Sequence, residues 1–120
     1  MSRQTPQFDH ERLDVYWVSI DFVAWVSGVV DGFGGLARNA RDQLIRSSQS
    51  IPLNIAEGNA KRPGPDRRRY FETARGSATE AAATLDVLVA SGARPPSVAE
   101  QGKALAKRIV EMLTKLAPPE

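Results

Sequence analysis

The chain has 120 residues, of which 42% are apolar and 25% charged, proportions typical of a soluble globular protein with one domain. It contains no cysteine, which excludes disulfides, thiolate metal sites and a cysteine nucleophile. The net charge of +2 is unevenly spread, because residues 1–34 carry two cations against five carboxylates and residues 35–75 carry nine cations against four.

The N-terminal stretch has no apolar run, so the sequence predicts no signal peptide and a cytoplasmic location. The most apolar stretch, residues 15–30, is interrupted by Asp21 and by serines. It is too short and too polar to be predicted as a membrane-spanning helix.

The first predicted helix covers residues 11–30 and is apolar on more than one face. One face follows the spacing of a bundle helix and consists of Leu13, Tyr16, Ile20, Val23 and Val30. The other apolar side chains exceed what one small bundle needs, and aromatic residues commonly anchor interfaces. They predict a subunit interface formed by Trp17, Phe22, Trp25 and Val29. The alternative is a monomeric core with a wide first helix.

The second predicted helix covers residues 36–59 and contains a proline. Its apolar stripe consists of Ala40, Leu44, Ile51 and Ile55. Pro52 removes one backbone hydrogen bond and clashes with the preceding turn, at a cost of about 3 kcal/mol. Two interpretations remain open: a binding surface at this place, or a proline that sets the helix curvature needed for packing.

The third predicted helix covers residues 66–91 and begins with three arginines, which oppose the helix dipole at its N-terminus. The fourth covers residues 97–116, after Pro95 and Pro96. Short loops between four amphipathic helices predict an all-α protein, an antiparallel up-down-up-down four-helix bundle in which residues 1–120 form one domain.

Two motifs, one in the second and one in the third predicted helix, carry a family resemblance. They are Ser50-Ile51-Pro52 with Asn54-Ile55-Ala56-Glu57-Gly58, and Phe71 with Ala74-Arg75-Gly76-Ser77 and Glu80. In this combination and spacing the chain resembles the four-helix-bundle proteins encoded in intervening sequences of large-subunit ribosomal RNA genes. The accessory variability determinant of diversity-generating retroelements is related to them.

This resemblance implies an antiparallel bundle that assembles into a ring-like homopentamer. The retroelement relatives are basic, bind nucleic acid and partner a reverse transcriptase. The resemblance therefore implies three kinds of partner: further copies of the chain, RNA or DNA, and a reverse transcriptase or another nucleic-acid enzyme. It implies no membrane partner.

Asn54, Glu57 and Arg75 admit two interpretations. Asn54 and Glu57 are three residues apart and share one helix face. The first interpretation is a buried polar network in which Glu57 pairs with Arg75 across the helices and Asn54 satisfies groups freed by Pro52, because buried charges persist only when paired. The second is a site for a ligand or partner.

The best candidates for nucleic-acid binding form a basic cluster where the loop after the second predicted helix meets the start of the third. They are Lys61, Arg62, Arg67, Arg68 and Arg69, with Arg46 of the second predicted helix in a supporting role. Arginine suits phosphate recognition, a helix N-terminus also attracts phosphate, and Tyr70 is close enough to stack on a base. The alternatives are a solvated charged face and salt bridges to the acidic first helix of another subunit.

The sequence shows no catalytic constellation, no metal-ligand spacing and no cofactor-binding motif. His10 is the only histidine and is predicted to be solvated near the terminus. We therefore predict a non-enzymatic homo-oligomeric scaffold that binds nucleic acid, RNA above all, or a nucleic-acid-processing protein. The alternative is a purely structural or protein-interaction module.

Overall fold

Four helices form an antiparallel up-down-up-down bundle in the structure, a computed structural model that describes residues 5–31 and 37–119. No strand occurs in these two ranges. Each helix packs on the next along the chain, and the last returns to the first. In chain order the helices are α1 (Asp14–Val30), α2 (Arg38–Asn59), α3 (Pro65–Ala90) and α4 (Pro96–Leu116).

The predicted fold class is confirmed, and three of the predicted helices begin or end within about two residues of the observed bounds. The beginning of the first differs, because Asp9–Arg12 forms a separate single-turn 3-10 helix before α1. Leu13 between them is extended, with φ −85° and ψ 122°, and this interrupts the helical hydrogen bonds. The predicted start of the second helix at residue 36 lies outside the described residues, as do the glycines of residues 32–35.

The core forms where the apolar stripes of the four helices meet. α3 contributes alanines at Ala74, Ala78 and Ala81, which are all fully buried and let α2 approach closely. The largest buried side chains are Phe22, Phe71, Leu44, Ile51, Ile55, Leu85, Leu88, Ile109 and Leu113. The stripe predicted for α2 therefore faces the core at Leu44, Ile51 and Ile55.

The face predicted for the first helix is wrong, because Ile20 and Val23 are only half-buried. The buried residues of α1 instead include Val15, Val18, Phe22 and Val26.

Pro52 lies inside α2, which continues through it as one helix, and its side chain is buried. A buried proline cannot belong to an exposed binding surface. The structure therefore favours the interpretation in which Pro52 serves packing. The serines that precede it are also buried, and their hydroxyls donate to backbone carbonyls one turn earlier: Ser47 to Leu44 and Ser48 to Ile45.

The predicted interface on α1 needs correction at Phe22, which is completely buried within the single chain. Trp25 stacks on it, with ring centroids 6.0 Å apart and planes 11° from parallel, and its Nε1 donates to Gln101 of α4 at 3.4 Å. Trp17 donates from Nε1 to the carbonyl of Glu11 at 2.8 Å. Phe22 thus belongs to the alternative that the sequence left open, a core with a wide first helix, and Trp25 packs against it.

Val29 is half-buried, like Trp17 and Trp25, so each of these three residues keeps some surface that another subunit can contact. That role stays a prediction. Within the described ranges, no helix is both long enough and apolar enough to cross a membrane.

Candidate nucleic-acid interface

The turn between α2 and α3 brings most of the predicted cations to one end of the bundle. Gly64 occupies the position before α3 with φ +149°, a conformation that side-chain-bearing residues rarely adopt, and Pro65 is the first residue of the helix. The turn is therefore tight, and the residues that follow it lie beside the last turn of α2.

Arg67 folds back onto the end of α2. Its Nη1 donates to the carbonyl oxygens of Asn59 at 3.3 Å and Lys61 at 3.2 Å, and its Nη2 donates to Asn59 Oδ1 at 3.3 Å. Its guanidinium carbon lies 5.3 Å from the centre of the Phe71 ring. The carbonyls at a helix C-terminus attract positive charge, so Arg67 caps α2 and its charge is engaged within the chain.

Replacing Arg67 with alanine is expected to lower the free energy of unfolding by about 2 kcal/mol, because three hydrogen bonds from a charged group are lost. Urea denaturation followed by circular dichroism measures the change. Arg62→Ala, at an exposed position of the same turn, is the control and should change the stability by no more than about 0.5 kcal/mol. Equal stability of the two variants would contradict the capping role.

Arg68 is half-buried and points to the other side of α3. Its Nη1 donates to the carbonyl of Pro118, just beyond the end of α4. Like Arg67, it makes contacts within the chain that a bound phosphate would have to compete with.

Of the remaining cations of this end, Lys61 and Arg69 lie against Tyr70, and Arg62 follows Lys61 in the chain. Lys61 Nζ lies 5.6 Å from the centre of the Tyr70 ring, and Arg69 Cζ lies 5.6 Å from the same centre. Arg69 also pairs with Asp66 at 3.4 Å, but both side chains are mostly exposed, and such a pair is easily exchanged for another anion. We call Lys61, Arg62, Arg69 and Tyr70 the cation–tyrosine surface.

Arg46 does not join this surface. It is exposed in the middle of α2, about 20 Å along the helix from the last turn. The structure thus divides the six predicted cations into an exposed or half-exposed group at the turn, two arginines engaged within the chain, and the distant Arg46. Their binding to nucleic acid stays a prediction.

The predicted network of Asn54, Glu57 and Arg75 is wrong in its pairing. Glu57 is exposed, and no ion pair joins it to Arg75 within the described residues. Arg75 instead faces α4, where Nη1 donates to Thr114 Oγ1 at 3.4 Å. The two side chains do not meet because they point in different directions. Arg75 lies on the side of α3 that meets α4, whereas Glu57 points from α2 into solvent.

Asn54 also has a different partner from the predicted one. Its Nδ2 donates to the Ser50 carbonyl at 2.8 Å and to Ser50 Oγ at 2.9 Å, one turn earlier in α2. Ser77 Oγ of α3 donates to Ser50 Oγ at 2.9 Å. The polar link between α2 and α3 therefore runs through Ser50 and Ser77, which the sequence showed only as members of the motifs.

A second feature of this end was missed by the sequence reasoning. His10, predicted to be solvated, is half-buried between aromatic rings. Asp9 beside it accepts a hydrogen bond from Asn59 Nδ2 at 2.8 Å, so the N-terminal segment is tied to the end of α2. Within residues 5–31 and 37–119, no group of three or more histidine or acidic side chains could hold a metal ion.

Comparison with known proteins gives a family and a related fold. The model of the 23S rRNA-intervening sequence protein family matches residues 11–115. A crystal structure of a protein of unknown function from the S23 ribosomal protein family of Bacteroides thetaiotaomicron is 19% identical, with a TM-score of 0.76 over 88% of this chain and 99% of that one. No curated protein matches. The match over most of the length, on a four-helix bundle that carries both motifs, means that the chain belongs to the 23S rRNA-intervening sequence protein family.

Proposed function

We propose that this protein is a non-enzymatic homo-oligomeric scaffold that binds nucleic acid, RNA above all, through the cation–tyrosine surface. The observation that carries the proposal is the placement of Lys61 and Arg69 at 5.6 Å from one tyrosine ring, beside the exposed Arg62. Cations attract the phosphate backbone, and aromatic rings beside cations are typical of surfaces that bind single strands. A reverse transcriptase or another nucleic-acid enzyme is the protein partner that the resemblance implies.

Self-association is part of the proposal because a surface with three cations binds weakly by itself. In an oligomer every copy contributes the same surface, and several weak contacts to one strand act together. Exposed apolar side chains on the outer faces of α2 and α3 support association, since Leu53 is 67% and Val87 51% exposed. The homopentamer is the assembly that the family resemblance implies.

Salt dependence of binding tests the nucleic-acid part. The wild-type protein should bind a labelled single-stranded RNA at low ionic strength, with an affinity that falls steeply as salt is added. Arg62→Ala combined with Arg69→Ala should lower the slope of log affinity against log salt by about 1.4, because each phosphate contact contributes about 0.7 for a single strand. Fluorescence anisotropy measures both quantities.

The matched control removes two arginines at the opposite end of α2, Arg38→Ala with Arg41→Ala. These residues lie about 30 Å from the turn along the helix, and the net charge changes by the same amount. The control should keep the wild-type slope. The same loss of slope in both double variants would mean that binding follows net charge alone, and absence of binding by the wild type at low salt would remove the nucleic-acid function.

The second candidate function is a protein-interaction or structural module without nucleic-acid binding, favoured by the exposed Leu53 and Val87. In that case Arg62 and Arg69 would form salt bridges between subunits. Light scattering coupled to size exclusion separates the two functions. A smaller assembly of the Arg62→Ala, Arg69→Ala variant, together with a wild type that binds no RNA, would support the module.

A further inference from the structure

A row of four aromatic rings with an exposed phenylalanine at its end lies near the beginning of the described chain. Phe8 stacks on His10 with centroids 5.8 Å apart and planes 22° from parallel, and His10 meets the Tyr16 ring edge-on at 4.6 Å. Tyr16 in turn meets Trp17 at 5.1 Å. Phe8 remains 65% exposed, and we call the side of its ring that faces away from His10 the open face. We call these four residues the aromatic row.

Hydrogen bonds hold the exposed end of the aromatic row in place, and His10, Tyr16 and Trp17 are half-buried. The backbone N–H of Phe8 donates to Glu11 Oε2 at 2.8 Å, and Trp17 Nε1 donates to the Glu11 carbonyl at 2.8 Å. Asp9 is bound by Asn59. The open face of Phe8 is therefore presented by a segment with a defined conformation, and a ligand that covers it pays little to order it.

The aromatic row and the cation–tyrosine surface lie at the same end of the bundle. Asn59 joins them, because its Nδ2 donates to Asp9 at 2.8 Å while its Oδ1 accepts from Arg67 at 3.3 Å. Phe8 is the neighbour of Asp9 in the chain, and Lys61 follows Asn59 by two residues. The exposed Phe8 is thus held at the same end of the bundle as these cations by a contact between segments 50 residues apart.

We propose that the open face of Phe8 stacks on a base of a single-stranded nucleic acid whose phosphates lie against Lys61, Arg62 and Arg69. The inference rests on the proposed function and names its substrate class. Proteins that bind single strands combine a positively charged surface with aromatic rings on which bases stack. A duplex keeps its bases stacked inside, so it reaches the cations but not the ring. The protein should therefore prefer a single strand to a duplex of the same length.

The test uses Phe8→Ala, Phe8→Leu and Phe8→Trp in the full chain, with fluorescence anisotropy of a labelled oligoadenylate and of an abasic strand of the same length. Phe8→Ala and Phe8→Leu should bind oligoadenylate about tenfold more weakly, since one stacked base contributes on that scale. Phe8→Trp should bind like the wild type because it keeps an aromatic face. All variants should keep the wild-type salt slope and the wild-type affinity for the abasic strand.

The outcomes separate this inference from the proposed function. If the wild type binds oligoadenylate with a steep salt dependence and Phe8→Ala binds equally well, stacking is overturned and the cationic surface stands. If Phe8→Trp binds as weakly as Phe8→Leu, the effect does not come from an aromatic face, and stacking is again overturned. If the wild type binds neither strand, the proposed function fails and this inference fails with it. Circular dichroism confirms that each variant is folded, which the exposure of Phe8 leads us to expect.

Discussion

Replacing Phe22 with alanine is expected to lower the free energy of unfolding by about 3–5 kcal/mol, the range found when a buried phenylalanine is truncated. The ring is completely buried, and Trp25 stacks on it at 6.0 Å, so the surroundings cannot collapse fully into the space left behind. Urea denaturation at a fixed protein concentration measures the loss and keeps any effect of association constant.

Phe8→Ala is the matched control for Phe22→Ala, since it removes the same ring from a position that is 65% exposed. It should change the stability by no more than about 0.5 kcal/mol. The structure assigns Phe22 to the core, whereas the sequence predicted it at a subunit interface. A Phe22→Ala variant with the same urea midpoint of unfolding as the wild type, but with smaller assemblies, would restore the interface prediction.

Replacing Gly102 with valine is expected to destabilise the bundle by about 3 kcal/mol, because no space exists for a side chain there. A Cβ atom at this position would lie 2.4 Å from Leu85 Cδ1 and 2.5 Å from Trp25 Cη2. Leu85 is 1% exposed and the indole is rigid, so neither neighbour can move aside without disturbing the contact of α4 with α1 and α3.

Gly28→Val provides the matched control for Gly102→Val. Gly28 also lies inside a helix, but a Cβ there would meet no atom within 4 Å. Valine has a somewhat better helix propensity than glycine, so this variant should be as stable as the wild type or slightly more stable. Thermal melting of the two variants makes the comparison. Similar melting temperatures would show that α4 does not approach α1 and α3 closely at Gly102.

The sequence could not distinguish the crowded Gly102 from the uncrowded Gly28. An isolated glycine inside a helical pattern often has a packing reason, so the position of Gly102 carried a signal. The same signal is present at Gly28, where no neighbour is close. Only the positions of Trp25 and Leu85 distinguish the two glycines, and these residues come from other helices.

The sequence identified the cations of the candidate site but not the contacts that each of them makes. The excess of cations after the second helix pointed to this end of the bundle, where Lys61 and Arg62 lie in the turn and Arg69 in the early part of α3. It could not show that Arg67 caps α2, because that depends on the tight turn at Gly64. The sequence likewise paired Glu57 with Arg75 because opposite charges stood in the two motifs, although the helix faces that carry them point to different neighbours.

The number and order of the helices follow from the residue pattern alone, because apolar periodicity and the glycine and proline breaks act over a few neighbouring residues. The core face of α1 did not follow from it, since Phe22 and Val26 are buried whereas the predicted Ile20 and Val23 are only half-buried.

The partner of each polar or aromatic side chain was decided only when the helices packed. Trp25 reaches Gln101 across 76 residues, and Asp9 reaches Asn59 across 50. A periodic apolar stripe predicts that one face of a helix is buried, but it does not predict which residues pack against that face. For that reason only the tertiary structure showed that the exposed Phe8 lies at the same end of the bundle as the cation–tyrosine surface. The binding inference depends on this placement.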